Sequence, residues 1–344
     1  MDDLTSRIWE MEGGKRKTWW WWFWLFFIDN PKNPNEPLQL MILWSRKREK
    51  HILCNDVLLD MENDIARGKD KIEFGGATAS WFFDGLRMHE DFLVKPSKIT
   101  LYNDGKKGLV EEKSKFTQNG KIFGIWIKGK QAEIEFEAEM LHDFPSVKRS
   151  HGFVALQYDI LKINRLKLKG RMTRNGKSVK IKGSAYFQKV FVSGPVVPWQ
   201  WSMVHFGNGS YFSSNLGRLG HSLFAEHHSP LDLKIRGKAE FYDADNGRTY
   251  QFRGITVRRS PGRLPVFLVH AKNKEAELKI ELPSYARALW RLQKSRLHKI
   301  NTLYYHEFPV SVKHFSLKTA SKVITEKELG RGVGNFEDSK GMMI

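Results

Sequence analysis

Cysteine is nearly absent: Cys54 is the only one in 344 residues. That excludes an intrachain disulfide framework and any multi-cysteine zinc or iron–sulfur site, and it suits a reducing, cytoplasmic compartment. Long apolar runs are lacking too. The strongest, TWWWWFWLFFI from Thr18 to Ile28, is about half of the ~20 residues a transmembrane helix needs. No small-residue cleavage site follows it. Acids are short against bases, 38 to 57, which leaves a net charge of +19. The chain has no Gly-x-Ser-x-Gly nucleophile motif and no cofactor-binding motif. The glycines of Gly207-Asn-Gly209 and Gly217-Arg-Leu-Gly220 lack the strand–loop–helix setting of a phosphate loop. His205, His221, His227 and His228 show no metal-ligand spacing, so neither metal nor cofactor is expected.

What the chain has in quantity is alternation. In Glu133 to Met140 the acids Glu133, Glu135, Glu137 and Glu139 take one face, and Ile134, Phe136, Ala138 and Met140 the other, the period of a half-buried strand. Lys177 to Ile181 and Leu278 to Leu282 repeat the pattern. Leu231 to Phe241 is expected to keep one phase, with Leu231, Leu233, Ile235, Ala239 and Phe241 on one side. Tyr250 to Val257 changes phase at Gly254, as a β-bulge would make it. Hairpin signals recur at Asn103-Asp-Gly105, Asn119-Gly120, Asn175-Gly176, Asn208-Gly209 and Asn246-Gly247. Successive aromatics in Thr18–Ile28 suit a strand covered on both faces, with Leu38 to Trp44 as its hairpin partner. The alternative is a signal or anchor segment. Helix is expected only in Ser284 to His298, on the spacing of Tyr285, Leu289, Leu292 and Arg296, and briefly around Asp3 to Glu10. Many antiparallel strands with little helix give an all-β barrel or sandwich.

The middle of the chain reads as a junction. A strand carrying Gly183-x-x-Tyr186 leads into a crossing marked by Gly194, Pro195 and Pro198, then Trp199-Gln-Trp201. On a strand, that spacing puts Trp199 and Trp201 on one face. Gly183 to Gln188 matches Gly332 to Glu337 in its glycine and in Phe187/Phe336. This points to two similar units, 15–193 and 199–344.

These residues resemble the lipocalin-like family of bacterial carotenoid 1,2-hydratase (hydroxyneurosporene synthase) and its AttH-like relatives. The family has two tandem lipocalin-type β-barrels, a junction of the form Gly-x-x-Tyr-x-Asp-His-x-Trp-Gly, a later Trp-x-Trp, and a closing Gly-x-Gly-x-x-Glu strand. Gly183, Tyr186, Trp199, Trp201, Gly332, Gly334 and Glu337 match, and Trp81-Phe-Phe-Asp84-Gly85 with His89-Glu90 is similar to first-barrel sequences. The resemblance implies two tandem lipocalin-like antiparallel β-barrels around a hydrophobic ligand, and the Ser284 to His298 spacing adds one short helix in the second. Departures stand at the chemistry. Gln188-Lys189 replaces Asp-His, Phe191-Val192 replaces Trp-Gly, and Gln200 separates the tryptophans. Hydrating an isoprenoid double bond requires protonating carbon, and glutamine cannot donate that proton.

The candidates divide accordingly. Tyr186, Gln188, Lys189, Trp199, Gln200, Trp201 and Trp126 are candidates to line a ligand cavity within a barrel or between the two. Asp84, His89, Glu90 and His205 are the substitute catalytic groups. Three functions fit: a binder of an isoprenoid or lipid-like molecule, an enzyme hydrating, isomerising or cyclising such a substrate, or a basic protein on an anionic surface. The basic residues are densest at Lys15-Arg16-Lys17, Arg46-Lys47-Arg48 and Lys162 to Arg174, without a nucleic-acid-binding signature. They read first as a solvated lysine-rich surface; an anionic membrane surface, touched at its periphery, ranks next as a partner and nucleic acid last.

Overall fold

A computed structural model describes residues 7–11, 18–47, 51–61, 65–102, 107–141, 146–151, 157–194, 198–220, 223, 232–294 and 302–341. Most of the Asp3–Glu10 helix expectation, the Asn103–Gly105 turn, and His221, His227 and His228 lie outside them. The fold is all-β, two tandem lipocalin-like antiparallel barrels; among the described residues the second carries one short helix.

Ten strands form a closed barrel in the first half. The order runs Glu133–Met140, Ile122–Lys128, Ser114–Asn119, Gly108–Glu111, Met88–Tyr102, Lys71–Phe83, Leu38–Lys47, Thr18–Ile28, Lys177–Ser193 and Gln157–Arg174, which pairs back onto the first. Thr18–Ile28 pairs with Leu38–Lys47, Trp22 facing Trp44. Its even-numbered residues Trp22, Trp24 and Phe26 enter the barrel core, while Phe23, Leu25 and Phe27 turn out to a second apolar layer. Both faces are buried, at roughly 1.5–3 kcal/mol per large side chain. In Glu133–Met140 the apolar residues are buried, and outward Glu135 and Glu137 pair with Arg171 at 2.9 Å and Lys169 at 2.6 Å. At Asn175-Gly176 both residues have positive φ, 49° and 75°, as a tight two-residue hairpin requires.

The second barrel is built from two sheets. One contains Leu233–Asp243, Tyr211–Leu219, Trp199–Phe206, Gly332–Gly341, Thr302–Ser311 and Ala288–Gln293; the other contains Gly254–Arg259, Val266–Lys272, Ala276–Pro283, His314–Thr319 and Val323–Thr325. The phase change at Gly254 marks more than a bulge. Arg248–Phe252 pairs in the first sheet and Gly254–Arg259 in the second, so the chain changes sheets there. A Ser284–Val310 bridge ties the opposite side.

Two sequence expectations fail locally. The described part of the Ser284 to His298 expectation, 284–294, is not the helix: Ala288–Gln293 is a strand on Thr302–Ser311. Its buried residues are Ala286, Ala288 and Trp290, a period of two. The helical spacing of Tyr285, Leu289 and Leu292 yields to backbone pairing across the sheet. The short helix is Glu326–Leu329, opened by a Thr325–Glu328 capping box. In Leu233–Asp243 the register shifts opposite Asn215/Gly217. Ala239 and Phe241 stay buried while Leu233 is 67% exposed.

The barrels exchange structure. The hairpin His51–Cys54/Val57–Asp60, which precedes Lys71–Phe83 in the chain, joins the second barrel's sheet through Cys54 opposite Leu292. Asn55 fastens it, donating to Leu289 O at 2.9 Å and accepting from Arg291 N at 2.8 Å. Cys54 is buried there, and desolvation pushes its thiol up to about 12, so it is inert. Among the described residues no helix is long and apolar enough to cross a membrane.

A buried carboxyl pair between the barrels as the candidate functional site

The apolar layer onto which Phe23, Leu25 and Phe27 turn lies between the barrels. The first barrel contributes Phe23, Leu25, Phe27, Met41, Trp81 and Tyr186, and the second Trp201, Met203, Trp290 and Tyr305. Strand parity assembles it. Trp199, Trp201, Met203 and His205 leave one face of Trp199–Phe206, and Gln200, Ser202, Val204 and Phe206 the other, with Val204 and Phe206 in the second barrel's core. Phe187 and Phe336, the two matched aromatics, likewise fill the cores of their own barrels. Gly183 and Gly334 permit the close approach of neighbouring strands: a Cβ would meet Phe27 O at 2.0 Å and Met203 O at 2.4 Å respectively.

Within this layer Glu307 and Glu337 stand directly opposite each other on paired strands, 1% and 4% exposed. Tyr305 Oη and Asn335 Nδ2 donate to the two oxygens of Glu307. Trp199 Nε1 donates to Glu337 Oε2 at 2.6 Å. The Trp81 indole N–H also faces Glu307, and the Tyr305 hydroxyl also faces Glu337. Burial raises both carboxyls above the ordinary glutamate value of 4.5, Glu307 further because the Glu337 charge opposes it. Two like charges opposed in a poorly solvated layer cannot both ionise, so the pair retains a proton near neutrality. The rings around it pack at a tilt: Trp199 and Tyr305 at 5.5 Å, Tyr186 and Trp201 at 5.2 Å between centroids. Aromatic faces at such range also stabilise a cation.

The sequence candidates separate by face. Tyr186, Gln188, Trp199 and Trp201 share the inter-barrel layer, with Tyr186 Oη donating to Gln188 Oε1 at 2.9 Å. Gln200 points into the second barrel, where its Nε2 donates to Asp338 Oδ1 at 3.0 Å. Lys189 points the other way, donating to Arg7 O at 2.5 Å. It lines a cleft of ≈ 40 Å³ with Arg7, Glu10, Trp20, Asp159 and Phe191. Trp126 lies on the outer wall of the first barrel, bonded to Glu133 at 3.0 Å.

The substitute acids are placed apart from the pair. Asp84 accepts from Leu86 N, Arg87 N, His89 Nε2 and Arg174. Burial opposes its charge, but these donors together hold it well below the usual carboxylate range. Glu90 is half-buried and raised by desolvation; it accepts from Leu289 N at 3.0 Å across the barrel seam. His205 is fully buried, its Nδ1 2.8 Å from Ser184 Oγ and its Nε2 2.7 Å from Asn164 O. Desolvation and Arg165 depress it strongly, so it is neutral, with Nε2–H donating to the carbonyl. Among the described residues no group of three His, Cys, Asp or Glu could hold a metal ion.

Glu307, Asn335 and Tyr305 are missing from the sequence candidates, and Glu337 enters only as a motif match. The Tyr305–Glu307 and Asn335–Glu337 alternations were available as a signal, since both put a polar pair on one face. Their opposition was not.

No family model matches the chain, and no curated protein matches it in sequence. Solved structures do. An AttH-type protein from Nitrosomonas europaea superposes with a TM-score of 0.55 at 14% identity, over 95% of this chain and 93% of that one. CghA, solved with Sch210972, gives 0.54 at 9% identity over 95% and 89%. Kievitone hydratase from Nectria haematococca gives 0.46 at 10% identity over 95% and 90%. The first two share the fold across both barrels.

Proposed function

We propose that this protein is an acid–base enzyme whose substrate, an apolar and unsaturated small molecule of isoprenoid or lipid-like kind, is held between the two barrels. The observation that carries the reading is the opposed Glu307/Glu337 pair within an aromatic layer. A shared proton on a desolvated carboxyl is a general acid, and the role denied to Gln188 falls to Glu337. Protonation of a double bond leaves a carbocation, which the faces of Trp199, Trp201 and Tyr305 favour. Water addition, proton loss or ring closure then completes hydration, isomerisation or cyclisation. Trp199 is half-buried and donates to Glu337, so it is the side chain that would move to admit substrate. The net charge of +19 favours approach to anionic membranes from which such a molecule is drawn.

A simple carrier would use the same layer but gives two opposed carboxyls no task. Geranylgeraniol in D₂O tests both readings, with tryptophan quenching reporting binding and mass spectrometry reporting water addition or deuterium gain. Wild type should bind and convert it. Glu337→Gln and Glu307→Gln should bind it and lose about 10²-fold or more of turnover. Binding without conversion by wild type would establish the carrier instead, and full turnover by either variant would remove the acid from the mechanism.

A further inference from the structure

The opposite face of the Gly332–Gly341 strand carries a different constellation. Arg259 Nε and Lys340 Nζ approach Asp338 Oδ2 at 3.4 and 3.6 Å. Arg218 reaches the same carboxylate through Gln200, donating to Oε1 at 3.2 and 2.9 Å while Gln200 donates to Asp338. Arg287 is close enough to act on Lys340 and His306, and it also faces Glu90. Asp232 stands near Arg218. Four cations are thus gathered about one carboxylate in contact and two more nearby.

His306, Asp338 and Lys340 share the strand face of Phe308 and Phe336, which belong to the second barrel's core with Phe206, Phe241, Phe267 and Phe315. Phe308 adjoins the cluster, with the Arg259 guanidinium 5.9 Å and the His306 ring 5.9 Å from its ring. Two donors of the cluster are unused: Arg287 Nε and His306 Nδ1 are buried without a hydrogen-bond partner. His306 is 9% exposed.

Four cations against three carboxylates leave one positive charge unbalanced, and a desolvated charge is costly unless paired. Desolvation lowers the proton affinity of Arg218, and desolvation with repulsion from neighbouring cations lowers that of Lys340 and Arg287 and pushes His306 down to about 3. A small anion would reverse both effects. Guanidinium and ammonium donors in one shell fit the tetrahedral or planar oxygens of phosphate and carboxylate.

We infer that Arg259, Lys340, Arg287 and His306 form an oxyanion-binding site in the second barrel, taking a phosphate-type group. The site lies on the opposite sheet face from the carboxyl pair, so it stands or falls independently of the proposed catalysis.

Calorimetric titration of the full chain with inorganic phosphate, at ionic strength held constant with chloride, tests it. Dodecyl phosphate serves as a second probe. Arg259 is partly exposed, so Arg259→Gln should stay folded; Lys340→Met is the second variant, with circular dichroism confirming both. One equivalent of phosphate should bind, at least tenfold more weakly in either variant. One-equivalent binding of dodecyl phosphate alone, weakened likewise, would support the same site with an amphiphile's head group as its occupant. Binding of many equivalents, binding unchanged in both folded variants, or no binding of either probe above chloride would overturn the assignment.

Discussion

Glu337 and Asp338 are neighbours in sequence, both essentially buried, yet they live in opposite electrostatic worlds. Glu337 faces the first barrel, where indoles, a phenol and another carboxyl surround it. Asp338 faces the second barrel's interior, where Arg259 and Lys340 converge on it. One step of the β pleat separates a carboxyl that keeps its proton company from a carboxylate held by cations. Burial alone therefore does not determine the charge of an acid in this fold; the sign of its neighbours does.

The most severe way to break this comparison is Asp338→Ala. It leaves Arg259 and Lys340 facing each other without their anion, and loss of one partner from a buried ionic group costs about 3–5 kcal/mol. Urea denaturation should show that loss at neutral pH. Glu337→Gln should cost far less, because a neutral amide replaces a carboxyl whose charge burial already disfavours. Equal losses for the two would erase the distinction.

A gentler test uses pH. For Glu307 and Glu337 the folded pKa lies above the ordinary value of 4.5. Their contribution is thus complete below about pH 4.5 and declines as pH rises through the folded values. Each unit of displacement corresponds to about 1.4 kcal/mol. Wild type should therefore lose stability between pH 5 and pH 9 relative to the Glu307→Gln/Glu337→Gln double variant, by roughly 1–3 kcal/mol. Parallel stability curves would mean that the pair does not hold its proton.

Much of the architecture could be read from the chain because it is written locally. Alternation in Glu133–Met140, the Asn175-Gly176 turn and the doubly buried Thr18–Ile28 all depend on residues within one or two strands. The shared face of Trp199 and Trp201 follows from spacing alone. Where local signals compete, reading fails: the Tyr285–Leu289–Leu292 spacing suits a helix, and pairing with the next strand, Thr302–Ser311, and with the distant His51–Cys54 decides against it. The functional pair fails for a related reason. Each glutamate is legible as one residue of an alternating strand, but their opposition depends on a register between segments about thirty residues apart. The hairpin at Asn55 is likewise committed to a partner more than two hundred residues away.

Trp199 sharpens the comparison at its most delicate point. Its indole N–H donates to Glu337 Oε2 at 2.6 Å, and a donor to a carboxylate favours the ionised form. Trp199→Phe keeps much of the ring that packs against Tyr305 and removes only the donor. The Glu337 titration should then move upward. The loss of stability should be modest near pH 5, where the pair is largely protonated, and should grow to about 1–2 kcal/mol at alkaline pH, where the missing bond was to a charge. A loss independent of pH would show that the indole contributes packing alone. A loss that grows with pH would tie the tryptophan of the junction to the charge of the acid, which is the coupling a side chain guarding a proton donor requires.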